Sequence, residues 1–300
     1  MKQHRHIKSD DYMNHDSLYI IGNGFDLKHQ IHSSYNDFLN WLIGNYRFDV
    51  IVELQRICPI TENGKYLLWS NFEKALENIE IKDVVEWDWE NLLVAETTMG
   101  NFLIGNTQPF LDTQISEVIT NAFTPWVRSI VIDSKPIVKF ENDSFFLTFN
   151  YTDTLEKVYG ISESKILHIH GRASTDANLI VGHRNFVDPV QHIKFEADFR
   201  KDNLRIENLC DYNKLYKPIE EIIENNHQFF EKLSNVKSIV VMGHSCDKID
   251  KLYFQKVSNC VSKDAHWTFF WHNEELDIPN IKSMIEYLEL NTIQFTLEYN

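Results

Sequence analysis

Apolar residues along this chain fall into two alternating patterns. Short unbroken runs that stop at glycine or a polar residue read as strands buried on both faces. They occur at LYIIG (18–22), SFFLTF (144–149), ILHIH (166–170), LIVGH (179–183), SIVVMG (238–243), HWTFFW (266–271) and TIQFTLEY (292–299). Stretches with apolar residues three and four apart read as helices. In SSYNDFLNWLIGN, Tyr35, Phe38, Leu39 and Leu42 follow Ser33 and Ser34 as candidate caps, and in SNFEKALENI, Ser70 and Glu73 form a capping-box pattern. DVVEWDWENLLVAETTMGNFL, FLDTQISEVITNAFTPWVRSIV, KPIEEIIENNHQFFEKL and IDKLYFQKVSNCV complete the set. Strands alternating with helices predict an α/β, Rossmann-like fold with a largely parallel sheet covered on both faces. No convincing strand lies between about 50 and 135. The expected organisation is therefore a single domain over 1–300, its α/β core at 17–49 and 140–300, with a helical lobe inserted at 50–139.

Composition narrows the classes. Three hundred residues, 43% hydrophobic and 13% aromatic, suit a folded globular protein. The formal net charge of −15 argues against a broad nucleic-acid-binding surface, because such a field repels phosphate backbones. Cys58, Cys210, Cys246 and Cys260 form no C-x-x-C pair, which argues against a zinc ribbon or a disulfide framework and suits a reducing cytosol. The first sixteen residues are polar, and no run approaches the roughly 18 apolar residues that span a bilayer. The expectation is a cytoplasmic protein without membrane attachment.

Candidate chemistry gathers at strand ends, where parallel sheets bind ligands. These ends read Gly22-Asn23-Gly24-Phe25-Asp26, Thr148-Phe149-Asn150-Tyr151-Thr152-Asp153, His168-Ile169-His170-Gly171-Arg172 and Gly243-His244-Ser245-Cys246-Asp247, with Gly182-His183-Arg184 nearby. Five of the ten glycines of the chain (Gly22, Gly24, Gly171, Gly182, Gly243) fall in these clusters, and glycine permits close backbone approach or a positive φ. Each cluster reads two ways. Gly22 and Gly24 form a phosphate-binding turn or a plain corner, since G-x-G without a third glycine is a weak fingerprint. Asn150 binds a ligand or caps a helix beginning near Thr152. His168 and His170, two apart on a strand, share a face and suit either a metal or structure. Gly243-His244-Ser245 is not a nucleophile elbow, because Asp247 stands where G-x-S-x-G needs its last glycine.

The order IIGNGFDL, SYNDFL, WSNFEKALE, TFNYTDTLEKVYG, HIHG, IVGH and VVMGHSCDKIDKLYF resembles the bacteriophage abortive-infection AbiH family over about 18–272. That resemblance implies a role in anti-phage defence. A more distant likeness is to the sirtuin-like NAD-binding fold. Thr148 and Asn150 match its T-x-N-x-D motif, His170-Gly171 its catalytic His-Gly, and Gly243 and Ser245 its later G-x-S. The motif's Asp position holds Thr152, with Asp153 one residue later, and GNGFD replaces the usual glycine–alanine–glycine turn. No zinc-binding cysteines are present, which argues against protein deacylation. The likeness implies NAD as substrate or ligand, without a metal, and hydrolysis of its N-glycosidic bond. Asn150 would position water and His170 would act as base. The N–H groups of residues 22–26 would hold the pyrophosphate. Asp26 would face a ribose hydroxyl or the nicotinamide, and Arg172 or Arg184 would neutralise phosphate. His183, His244 and Asp250 join the expected cofactor-binding set. Three other readings stand beside this one. One is a non-catalytic nucleotide sensor, and another is a metal-dependent nuclease or phosphohydrolase using His168, His170, His183 and Asp26 or Asp247. The last is an interaction protein whose helical lobe senses a phage-derived trigger or a partner defence protein. A homo-oligomer is left open.

Overall fold

Six of the seven apolar runs pair as parallel strands of one sheet, in a computed structural model that describes residues 17–58, 64–65, 71–79, 85–86, 89–90, 114–175, 179–195 and 199–299. The strands are β1 (Ser17–Ile21), β2 (Phe145–Thr148), β3 (Ile166–His168), β4 (Ser238–Met242), β5 (His266–Trp271) and β6 (Phe295–Tyr299). Their order across the sheet is β3-β2-β1-β4-β5-β6, every neighbouring pair parallel. This is the Rossmann-like order, in which the chain builds outward from β1 on one side and then crosses to β4 on the other. β1 is buried along its whole length. Leu18 and Ile20 join one apolar face with Leu147, Ile239 and Val241, while Tyr19 and Ile21 join the opposite face with Phe146 and Met242, the two-residue alternation of an extended chain.

Helices cover both faces. After β1 come α1 (Asn23–Lys28), α2 (Tyr35–Gly44), α3 (Phe48–Ile57), α4 (Phe72–Glu77) and α5 (Ile115–Ser129). Next are α6 (Thr154–Tyr159), α7 (Phe199–Asn213), α8 (Ile219–Asn225), α9 (His227–Glu231), α10 (Lys251–Cys260) and α11 (Glu274–Tyr287). Ser34 caps α2 through a box with Asp37, Asp37 N–H donating to Ser34 Oγ at 3.1 Å and Ser34 N–H to Asp37 Oδ2 at 2.9 Å. α2 to α5 share a separate apolar core built on Phe38, Leu54, Phe72, Leu76, Phe123 and Trp126, which Tyr212 of α7 and Leu215 in the turn after it complete. Among the described residues, no helix is long and apolar enough to cross a membrane.

Several sequence expectations change. The run 179–183 is not a strand of the sheet. His183 makes a single bridge to Tyr216, its N–H donating to Leu215 O at 3.0 Å and its carbonyl accepting from Lys217 N–H at 2.8 Å. Gly182 sits at φ +156°, and a Cβ there would lie 1.8 Å from Leu215 O. β3 stops at His168, so Ile169 and His170, expected on the strand, stand in a turn. β6 begins only at Phe295. α4 is capped by Asn71, whose side chain accepts from Lys74 N–H at 3.0 Å, not by Ser70, which lies outside the described residues. α7 and α11 have no counterpart in the periodicity: α7 is mostly polar, and α11 carries Pro279. The helix expected from DVVEWDWENLLVAETTMGNFL falls mostly outside the described residues.

His183 gives the fold an acid sensitivity. It is fully buried, stacked on Tyr212 with ring centroids 3.8 Å apart, and its Nδ1 accepts from Asn185 N–H at 3.2 Å, so its Nε2–H donates to Tyr212 O at 3.1 Å. Burial lowers its pKa from 6.5 to about 4. Between those values the unfolded chain binds the proton and the folded chain does not, so stability is full above pH 6.5 and falls as pH drops toward 4. At about 1.4 kcal/mol per unit this amounts to roughly 3 kcal/mol. Urea unfolding at pH 7.5, 5.5 and 4.5 should show that decline, and His183→Gln, which does not titrate, should flatten it.

Candidate functional site

The first two clusters to meet are those after β1 and β4, and glycine is the reason. Gly22 N–H extends the ladder to Met242 O at 3.0 Å, and Gly24 N–H donates to Gly243 O at 2.8 Å. A Cβ on Gly22 would sit 2.6 Å from both Gly243 O and His244 Cα, and one on Gly24 would sit 2.8 Å from Gly243 Cα. Gly243 itself has φ +64°, and its Cβ would lie 2.2 Å from Phe25 N. The two loops therefore pack backbone on backbone. This corrects the expected role of the 22–26 turn. It is the start of α1, and the N–H groups of Gly22, Gly24 and Phe25 are spent inside the protein, the last on Gly22 O at 3.0 Å. Asn23 turns its side chain to Ser33, accepting from its hydroxyl at 2.7 Å and donating to its carbonyl at 3.0 Å.

Asp26 ties in the loop after β2. Its carboxylate is fully buried and accepts from the hydroxyls of Thr152 at 2.5 Å and Thr154 at 2.7 Å. Burial pushes its pKa up, against the pull of those two hydroxyls. Asp26 also lines the cavity described below, and Thr152, standing where the likeness expected an acid, is one of its two hydroxyl partners. The Asn150 amide lies near Asp26 as well, yet neither its nitrogen nor its oxygen completes a hydrogen bond. Its own N–H donates to Thr148 Oγ1 at 3.1 Å, which fixes the turn.

Behind this turn lies a cluster of buried ionisable groups. His244 accepts Cys246 N–H on Nδ1 at 2.9 Å, so its Nε2 carries the proton and faces Asp250 Oδ2 at 3.4 Å. Burial alone would raise Asp250, but the His244 contact and the Lys217 charge hold it below the usual carboxylate range. Lys217, fully buried, bonds Glu73 Oε1 from 144 residues away in sequence. Burial raises Glu73, and Lys217 pulls it back. His170, only 4% exposed, has its pKa held well below 6.5 by burial and by Lys217, against the opposing pull of Asp250, so the ring is a neutral imidazole. Its Nε2, Asp250 Oδ1, both Asn150 amide atoms and Tyr253 OH find no partner within the protein. A buried polar atom that nothing satisfies costs about 1–3 kcal/mol, so each of these atoms calls for a partner from outside the chain.

One cavity of ≈ 280 Å³ is lined by Glu73, Asn150, His170, His244 and Asp250 of this set, while Lys217 and Tyr253 stand off its lining. Gly22, Asn23, Gly24, Asp26, Asn150, His170, Gly243, His244, Ser245 and Asp250, all expected from the sequence, line it. Phe123 and Trp126 of α5 form an apolar wall, with Tyr35 and Tyr151 beside it. Eight expected residues stand elsewhere. Phe25 is buried against Phe140 and His29, Thr148 supports the Asn150 turn, and His183 is structural. Arg172 is paired with Asp153 and with Glu163 at 2.6 Å, and Asp153 also accepts from Ser174 at 2.9 Å. Gly171, at φ +88°, turns the chain between His170 and that pair. Arg184, the other candidate for a phosphate, reaches Glu220 at 3.0 Å. His168 is likewise engaged, by Asn150 O at 3.1 Å and Glu156 Oε1 at 2.9 Å, so it and His170 do not act as a chelating pair. Among the described residues no group of three His, Cys, Asp or Glu is placed to hold a metal ion. Glu73, Lys217 and Tyr253 are not legible as site residues; only the rarity of buried lysine would flag Lys217, and burial is not visible in a sequence.

A family model described as bacteriophage abortive infection AbiH matches residues 18–271. No curated protein and no solved structure matches the chain.

The glycine contact sets an expectation for stability. Gly243→Ala combines a left-handed φ with a steric overlap against backbone, a class of change that costs upward of about 1–3 kcal/mol. Its urea midpoint should fall clearly below that of Gly160→Ala, where φ is also left-handed but nothing lies within 4 Å.

Proposed function

The chain belongs to the bacteriophage abortive infection AbiH family, and on that premise we propose that its cavity binds NAD or a related nucleotide and hydrolyses the N-glycosidic bond. The observation that carries this reading is the pairing of a neutral buried His170 with an unsatisfied Asn150 amide in one acid-lined cavity. N-glycoside hydrolysis asks little covalent chemistry of a protein. As the C1′–N bond breaks, its electron pair leaves with the nicotinamide, which becomes neutral, and positive charge develops on the ribose. A water oxygen then bonds to C1′ and gives up a proton.

Each requirement has a residue. Asn150 offers one donor and one acceptor to hold the water or a ribose hydroxyl. His170 is already deprotonated and takes the proton at Nε2. Asp250, ionised and fixed by His244, stabilises the cationic sugar through a preformed charge. Phe123 and Trp126 shield the site from bulk water and give the leaving ring a surface to stack on.

Purified protein should release nicotinamide and ADP-ribose from NAD, measured by chromatography, with the phage trigger supplied if turnover needs one. His170→Ala and Asn150→Ala should each lower the rate by roughly 10²–10⁴ with little change in melting temperature. Variants that turn over at the wild-type rate would remove both residues from the mechanism. Because the imidazole must be unprotonated, the rate should stay level from pH 8 through 6.5 and fall only in more acid solution. A decline centred at 6.5 or higher would count against His170 as the base.

A further inference from the structure

We infer that the cavity recognises the cationic ring-and-ribose end of an N-glycoside, and that the phosphates of a nucleotide contribute little to recognition. The choice of ligand rests on the hydrolytic reading above; the charge argument rests on the cavity itself. Most groups that could hold a phosphate in the cavity are already engaged. The N–H groups of Gly22, Gly24 and Phe25 donate within the protein, Arg172 serves Asp153 and Glu163, and Lys217 is spent on Glu73; Arg184 stands off the cavity lining, its Nη2 on Glu220 and its Nη1 without a protein partner. Among the described lining residues the one lysine or arginine is Lys74, which is exposed.

The carboxylates tell the opposite story. Asp26, Glu73, Glu77, Asp247 and Asp250 all line the cavity. Four are answered internally: Asp26 by Thr152 and Thr154, Glu73 by Lys217, Glu77 by Lys248 at 3.3 Å, and Asp247 by Ile249 N–H at 3.4 Å. Asp250 is answered on one side only. His244 faces its Oδ2, while its Oδ1 has no partner, and the residue is 6% exposed. His244 and Lys217 keep this carboxylate ionised, and its open Oδ1 offers a cation in the cavity a charged partner.

The wall agrees with the floor. Phe123 and Trp126 meet edge to face at 5.3 Å, with Tyr35 and Tyr151 also on the lining. Burial, together with the nearby Glu73, holds both tyrosines well above 10, so they remain neutral phenols. Aromatic faces carry negative potential and attract organic cations. The volume of ≈ 280 Å³ lies at the lower edge of the roughly 300–1,000 Å³ typical of ligand sites. It suits one ring and one sugar, leaving a diphosphate outside, near Lys74.

Calorimetry on the purified full chain tests this without any variant. The probes are nicotinamide riboside, its uncharged dihydro form, nicotinamide mononucleotide and ADP-ribose. The cationic riboside should bind at least ~10-fold more tightly than the dihydro form. The added phosphate should improve affinity by less than about threefold, and ADP-ribose should be the weakest of the four. Asp250→Asn should abolish the preference for the cation, read as the ratio of the two riboside affinities. Equal binding of the charged and uncharged ribosides, tighter binding of ADP-ribose, or no binding of the cation at millimolar concentration would each overturn the inference. Charge preference without turnover leaves this inference standing and removes the hydrolytic reading. Turnover of NAD without charge preference does the reverse.

Discussion

Gly24 N–H bonded to Gly243 O is the contact on which the rest of the site depends. In a sheet of this order the crevice between the ends of β1 and β4 is where ligands ordinarily enter. Here the two loops close that crevice by touching backbone to backbone, which only residues without a Cβ allow. Closure takes the Gly24 N–H, and those of Gly22 and Phe25 go to Met242 O and Gly22 O, so three donors that could face an anion are spent. It also turns the open space sideways, over the ends of β1, β2 and β4 and beneath the wall of α4 and α5. The cavity is thus a product of the helical layer as much as of the sheet, and its chemistry comes from side chains instead of a backbone nest.

Those side chains form a graded set of charges. Lys217, brought in by the turn that follows α7, compensates Glu73 across the layer boundary. The same lysine disfavours a proton on His170 and favours the ionised form of Asp250. One buried cation therefore sets three groups at once: a paired acid, a neutral base and a half-answered negative charge. A fully apolar core at this position would be easier to stabilise, so the polar cluster is held at a cost to the fold.

Much of this is legible in the chain itself. Most strand runs end where the sheet ends, and the clusters at Gly22, Asn150, His170 and Gly243 converge because parallel strands place all their carboxyl ends on one edge. What the sequence hides is of two kinds. LIVGH has the composition of a strand, yet Gly182 bends it and the segment pairs with Tyr216 in place of the sheet. Tertiary pairing overrides propensity there. Glu73 and Lys217 look like ordinary surface residues of amphipathic helices, and their meeting depends on how two distant elements pack. Gly-x-Gly is legible as a demand for small residues, but not what makes the demand. The answer is another loop and not a ligand.

The placement of α5 has a thermodynamic consequence. Its residues Phe123 and Trp126 serve the core of the helical layer and the wall of the cavity at the same time. A molecule held between that wall and the strand ends is therefore a cross-brace, and its binding free energy is added to whatever already docks helices onto sheet. The coupling runs in both directions with equal size. Any partner that shifts α5 relative to β2 changes ligand affinity by the same factor by which the ligand changes the partner's own hold, so occupancy of this small chamber reports on the mechanical state of the whole helical face.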